Sequence, residues 1–452
     1  MTNKDYKELF NPYYDSFIKD LFGILEIPSV LKKYDEKNLE EPFGSDIKKA
    51  LTYMLDLAKK DGFKTVNVDN YAGFVEYGSG DKLLLILCHL DVVPATGEWE
   101  NPPFKPIIKD DKIIARGSSD DKGPLLSSYY ALKMLKDEGY DPKMRIRLFF
   151  GCDEESGSRC LKRYIEKYGE CDYGFSPDAS FPCIFAEKGI SSEKMSGVID
   201  DPRIISFNSG TVSNIVPDYA EAKLSIDLKQ EFNKFLTESN LKGGIKEDNI
   251  YYLYGKSAHG STPYCGINAA TTLIEFLSHH ISNNFIDLVG NYMHEDFVGE
   301  KEGIAYKDDE MGRVSINPAV FKLEDSKFEI ISNIRYPKGF MFENEMKKYQ
   351  DFLLGFGVKL EVLHNSIFHY VPLKSHLITS LLKAYRKHTG DMSEPISIGG
   401  GTYARDFKNA VAFGAAFKDE EECAHMPNEY MSINSLIKAT YIYKDAIKNI
   451  CD

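Results

Sequence analysis

Apolar residues recur at helical spacing over 12–23 and again over 45–62, then alternate with polar ones in VNVDNYAGFVEYG, which predicts two helices followed by a strand pair. Six consecutive apolar residues, Leu83 to Cys88, mark a strand buried on both faces. IIKDDKIIARG reads as a polar hairpin turning at Asp110-Asp111. Pro124 opens and Gly139 closes a helix, LLSSYYALKMLKDEG. Proline suits a first turn because it has no N–H to lose there, and glycine suits the stop. MRIRLFFG is a further strand, ending at Gly151, and SRCLKRYIEKYG a short helix. Strand, helix, strand, helix predicts the α/β class with a mostly parallel sheet.

From about residue 190 the pattern changes. VSNIVPDYAEAKLSIDL, DNIYYLYGKSAHG and FKLEDSKFEIISNIRYP read as strands of alternating polarity around one helix, INAATTLIEFLSHHI, which predicts an α+β module with antiparallel strands. Near 376 the first pattern returns, with helices in HLITSLLKAYRKHTG and NSLIKATYIYKDAIKNI. The expected organisation is a discontinuous domain, 1–188 plus 377–452, with a second domain, 189–376, inserted in it. A chain of 452 residues is long enough for two cores.

Composition narrows the function. The net charge of -14 argues against a nucleic-acid surface. The start, MTNKDYKELFNPYYDSF, has no apolar signal core, and no stretch approaches the ~20 apolar residues that span a bilayer, so a cytoplasmic protein without membrane contact is expected. Eight cysteines are scattered without a C-x-x-C pair, which fits free thiols in a reducing compartment rather than cysteine-held zinc.

Candidate chemistry gathers at the ends of the predicted strands. His89 and Asp91 follow LLLILC; Asp120 and Asp121 follow the hairpin, in ARGSSDDKGP; Asp153, Glu154 and Glu155 follow LFFG; Asp178 lies in FSPDAS and His425 in ECAHMPNEY. In an open α/β sheet the carboxyl ends of the strands line the ligand crevice. Each residue alone has an ordinary reading: a satisfied buried histidine, a turn with solvated acids, a loop carboxylate. Together they form a charge set that is costly bare and cheap around cations. His89, Asp120, Glu155, Asp178 and His425 are too many ligands for one tetrahedral zinc, and they suit two metals if one carboxylate bridges. Residues i and i+2 of an extended chain face one side, so Asp91 can accept the second N–H of His89 and fix its tautomer. Glu154, left uncoordinated, can move the proton of an attacking water.

These stretches, with CHLDVVPATGEWENPPF, GCDEESGS, SPDASFPCIFAEKGI, NIVPDYAEA, GKSAHGSTP, NIRYP and GGGTYARDF, occur in one order over most of the chain. The sequence resembles the zinc-dependent exopeptidases that include aminoacylase, glutamate carboxypeptidase and succinyl-diaminopimelate desuccinylase, and among them the PepV-type dipeptidases. The resemblance implies a metal-binding catalytic domain and an inserted lid. His89 and Asp178 would hold one metal, Glu155 and His425 the other, and Asp120 would bridge, with a cis Asp120–Asp121 peptide. Asp91 would orient His89 and Glu154 would be the general base. His259 would polarise the scissile carbonyl, Arg335 would clamp the substrate carboxylate, Asn214 would add a polar contact, and Gly399, Gly400 and Gly401 would let backbone approach the substrate. It implies two divalent ions, zinc foremost with manganese or cobalt as alternatives, and a monomer whose long insert supplies its own histidine. The expected activity is hydrolysis of the peptide bond of dipeptides, with a metal-bridging water as nucleophile. Deacylation of N-acyl amino acids and a catalytically silent binding protein on the same fold are the rival readings.

Overall fold

The computed structural model describes residues 2–452, and these divide into two compact units. One takes in the chain up to Ala186, Tyr370–Ile396 and Gly401–Asp452; the other takes in Glu187–His369 and Ser397–Gly400.

The first unit is built on a sheet with strands in the order Lys64–Val68, Ala72–Tyr77, Arg145–Gly151, Leu83–His89, Tyr173–Ser176, Ala410–Ala412 and Ile184–Glu187. Its class is α/β. In this order the four strands from Arg145–Gly151 to Ala410–Ala412 pair in parallel, and the pairs on either side of them are antiparallel. All seven residues of Leu83–His89 are buried, as the unbroken apolar run requires of a strand covered on both faces. Helices Lys122–Asp137 and Ile433–Cys451 pack together, and Ser127 Oγ donates to the Leu436 carbonyl at 3.0 Å.

The first helix runs from Asn3 to Leu25, well ahead of the expected start at 12. Pro12 lies inside the helix. Tyr6, Phe10, Phe17 and Leu21 are all buried along it. Burying each is worth roughly 1.5–3 kcal/mol, against ~3 kcal/mol for an interior proline, so packing outweighs the local penalty.

The second unit is an eight-stranded antiparallel sheet with helices packed on its core face, of α+β type. The strand order is Lys242–Lys246, Ile250–Tyr254, Tyr219–Leu224, Ile204–Ser209, Ser315–Glu324, Lys327–Tyr336, Gly189–Val198 and Lys359–Ser366. Phe207, Leu273, Ile274, Phe321, Phe328 and Tyr349 are among the side chains that fill that core. VSNIVPD lies outside the strands, which resume at Tyr219. Gly189–Val198 has no apolar alternation to reveal it, because its inward positions include Ser191 and Glu193, both fully buried.

Among the described residues neither carboxylate oxygen of Glu193 has a hydrogen-bond partner. Glu302, also buried, accepts from the Tyr349 hydroxyl at 2.6 Å, and that hydroxyl lies 3.3 Å from Met195 on the Glu193 strand. Burial pushes both carboxyl groups up to about 8. The folded chain therefore keeps these protons to a higher pH than the unfolded chain does, and their contribution to stability is lost as pH rises from about 4.5 to about 8. Glu193→Gln is expected to raise the melting temperature by about 3–6 °C at about pH 9 and not at all near pH 4.5. Scanning fluorimetry at both values checks this; an equal shift at the two would show that burial of charge is not the cause.

The eight cysteines are free thiols, seven of them buried. No helix of the described residues is long and apolar enough to cross a membrane.

Candidate metal centre

Three adjacent parallel strands of the first unit set the position of the centre. Leu83–His89 lies between Arg145–Gly151 and Tyr173–Ser176, with His89 opposite Gly151 and Ile86 opposite Phe175. The strand ends are therefore level, and the residues that follow them, Glu154 and Glu155 on one side and Asp178 on the other, emerge around His89 at one edge of the sheet.

Asp120 is at the middle of the cluster. Its Oδ1 is 2.9 Å from His89 Nε2 and its Oδ2 is 2.9 Å from His425 Nε2. Asp178 Oδ2 approaches His89 Nε2 at 3.4 Å, and Glu155 Oε2 approaches His425 Nε2 at 3.3 Å. Each imidazole thus faces one shared and one private carboxylate. His89, Asp120 and Glu155 offer ligand atoms within 4.8 Å of one another. The Asp120–Asp121 peptide is cis.

Burial disfavours a charged His89, but Asp120 and Asp178, with Asp91, hold it well above the usual histidine range. Asp120 and Glu155 bring His425 up to about 10. Burial would raise Asp120, yet the two imidazoles keep it well below the usual carboxylate range. Among the described residues Glu155 Oε1 is buried without a hydrogen-bond partner, and His89 Nε2 and Asp120 Oδ1, although 2.9 Å apart, are not aligned as a hydrogen bond. Unpaired buried polar atoms are costly, and nitrogen and carboxylate donors aimed at common points fit divalent cations.

Glu154 stands apart. Its carboxylate takes part in none of the hydrogen bonds or ion pairs among the described residues; its backbone N–H donates to Asp91 Oδ1 at 3.0 Å. Burial is the main cause that holds it well above the usual carboxylate range, with Asp178, Glu155 and Asp120 adding to it and the His89 charge opposing. A carboxyl tuned upward suits proton transfer near neutral pH.

The expected role of Asp91 needs correction. His89 Nδ1 meets the Asp91 backbone carbonyl at 2.9 Å, whereas the Asp91 carboxylate is 3.6 Å away. That carboxylate instead accepts the amides of Glu154 and Glu155, at 3.0 and 3.1 Å. Asp91 orients the ring through its main chain and ties the acidic loop to the strand end through its side chain. Asp121, fully buried, accepts the His89 amide at 3.1 Å, and Asp153 holds its own loop through Ser156 and Arg159.

The remaining candidates belong mostly to the second unit. His259 is exposed, its Nδ1 2.7 Å from Ser261 Oγ, and an isolated bridge joins it to Ile215 beside Asn214. Arg335 donates from Nη1 to the Gly399 carbonyl at 2.7 Å and from Nε to Asn333 Oδ1 at 2.6 Å. A side chain at Gly399 would put its Cβ 2.4 Å from that of Ser261, so glycine is required there. Asn214, His259, Arg335 and Gly399 are thereby linked through Ile215, Ser261 and Gly260, while Gly400 belongs to the same unit and Gly401 to the first. Arg116 and Glu429, which form a buried ion pair behind the cluster at 2.5 Å, escaped sequence reasoning. An arginine and a glutamate flanking motifs carry no sign of burial.

Carboxylates and imidazoles converging beyond parallel strands define the class, a metal-dependent hydrolase centre on an α/β sheet. Residues 85–449 match the model of Peptidase family M20/M25/M40, and the chain belongs to that family. A Staphylococcus haemolyticus protein named "Putative dipeptidase SH1171" is 40% identical over 469 residues, covering 99% of each chain. "Putative dipeptidase SAUSA300_1697" of Staphylococcus aureus is 40% identical over 467 residues, again with 99% of each chain covered. The fold is also that of human carnosine dipeptidase 1, with a TM-score of 0.60 at 14% identity, covering 99% of this chain and 98% of that one. The di-peptidase Dug1p of Saccharomyces cerevisiae gives 0.59 at 16%, covering 100% and 98%.

Proposed function

We propose that the protein is a dinuclear-metal dipeptidase. One observation carries the reading: Asp120 presents one oxygen to His89 and the other to His425, each imidazole has a second carboxylate beside it, and an unpaired Glu154 is adjacent. His89 and Asp178 would hold one divalent cation, His425 and Glu155 the other, with Asp120 shared; zinc suits the set, as do manganese and cobalt. When bound, the cations supply Lewis acidity and make an attacking water easier to deprotonate.

The chain's own residues do the rest. Glu154 takes the water's proton and delivers it to the leaving nitrogen, for which its raised affinity for protons fits. His259, oriented by Ser261, donates to the developing oxyanion. Arg335, its plane fixed by Asn333 and Gly399, takes the substrate's terminal carboxylate in a bidentate grip. Asn214 adds a polar contact, and Gly399, Gly400 and Gly401 admit substrate against backbone. In this reading the second unit is a lid, the protein acts as a monomer, and its free thiols suit the cytoplasm.

A hydrolysis panel with metal-depleted and metal-restored protein tests the assignment, using a dipeptide, its N-acetylated form, its C-terminal amide and a tripeptide. The dipeptide is expected to be cleaved fastest, only after metal is restored, with the amide poor because Arg335 loses its carboxylate. Preference for the N-acetylated form would make the protein a deacylase, and no cleavage of any member would make it a binding protein.

A further inference from the structure

Asp120 and His425 come from distant parts of the chain, and what joins their loops is a buried pair that touches neither the cluster's oxygens nor its ring nitrogens. Glu429 is fully buried and Arg116 is 1% exposed. Glu429 Oε1 accepts from the amides of Gly117 at 3.0 Å, Ser119 at 2.9 Å and Asp120 at 3.3 Å, and from Ser119 Oγ at 3.0 Å. Glu429 Oε2 accepts from Arg116 Nη1 at 2.5 Å. Arg116 Nη2 donates onward to the His425 carbonyl at 3.2 Å and the Pro94 carbonyl at 3.4 Å. The grip is reciprocal: the acid on the His425 loop organises the Asp120 loop, and the guanidinium on the Asp120 loop holds the His425 backbone.

The His425 loop needs such restraint. His425 has φ 65°, a left-handed conformation that costs a non-glycine residue roughly 1–2 kcal/mol. The segment after the first buried strand braces it from another side. Gly97, at φ 80°, lies where a Cβ would come within 2.6 Å of Pro427 Cγ. Asn428 Oδ1 accepts the Glu100 amide at 2.9 Å, and the Arg116 guanidinium is 5.2 Å from the centre of the Trp99 ring. His89 and Asp178 have no part in this assembly; the strand ends fix them. A buried ion pair is by itself weak evidence for stability, because desolvation offsets its attraction. The arrangement calls for a different account, in the position it imposes.

We propose that Arg116 and Glu429 are positioning residues that set the separation of Asp120 and His425, and with it the affinity of the cation half-site formed by His425 and Glu155. The proposal rests on the dinuclear reading above. The test is calorimetric titration of zinc into metal-depleted full-length protein, wild type against Glu429→Gln, alongside melting temperature and dipeptide hydrolysis at low and high zinc. Glutamine keeps an acceptor for the loop amides and loses the charge that Arg116 needs. The expected result is a roughly 10–100-fold weaker second zinc, the usual cost of losing a supporting partner, with the first zinc within about 3-fold of wild type. Turnover should recover at high zinc with KM unchanged. Equal weakening of both sites, or two wild-type affinities with only a lower melting temperature, would reduce the pair to general stability and overturn the proposal. If Glu429→Gln folds poorly, Arg116→Lys carries the comparison, since lysine keeps the charge and loses the planar fork that reaches Glu429 and the His425 carbonyl from two separate nitrogens. Failure of the dinuclear reading is distinguishable, because wild type itself would then bind fewer than two zinc ions.

Discussion

Glu154→Gln is expected to cut turnover of a dipeptide by about 10²–10⁴-fold while leaving metal content unchanged. The substitution keeps the size and polarity of the side chain and removes only its capacity to hold and release a proton. Metal content should survive because no ion pair or hydrogen bond among the described residues uses that carboxylate, whereas the loop it sits on is tied down by the Glu154 and Glu155 amides on Asp91. Its carboxyl is held well above the usual range chiefly by burial, with three nearby carboxylates adding to it, which is the setting in which a carboxyl can both accept and return a proton. Elemental analysis of the purified variant together with steady-state kinetics checks both halves. Wild-type turnover would remove Glu154 from the chemistry, and loss of metal would make it a ligand instead.

Asp120→Ala is expected to cost more, abolishing turnover and weakening both cations beyond the roughly 10–100-fold of a lost supporting contact. Among the described residues Asp120 is the one side chain that approaches both Nε2 atoms, at 2.9 Å on each side, so its removal leaves each of them with a single carboxylate beside it. A cation that binds only the folded chain stabilises it, by about 2.7 kcal/mol when present at a hundred times its dissociation constant. Zinc should therefore raise the melting temperature of metal-depleted wild type and have little effect on the variant. A variant that still shows the full zinc-induced shift, or binds two ions, would end the shared-ligand reading.

Much of the centre is legible in the sequence. LLLILC reads as a buried strand, which puts His89 at its end. Glu154, Glu155 and Asp178 follow strands of the same kind, and parallel pairing brings such ends level. What could not be read were contacts that depend on which backbone group faces which side chain. The i, i+2 spacing places Asp91 beside His89, but period two says nothing about whether its carbonyl or its carboxylate is nearer, and the carbonyl is. Arg116 and Glu429 were invisible for a related reason: a charged residue reads as exposed until the chain around it is folded. The first helix begins ahead of Pro12 and the Gly189–Val198 strand buries Glu193, two places where burial overrides local signals.

The sequence by itself determined the α/β class, the order of most of the elements and the residue types available for cation and proton chemistry, since all three follow from periodicity and side-chain identity along the chain. Only the tertiary structure decided that Asp120 points one oxygen at each imidazole, that Glu154 is left unpaired, and that the Arg116–Glu429 pair couples two distant loops. Those facts depend on distances of about 3 Å between residues far apart in the chain, and a linear pattern carries no such distances.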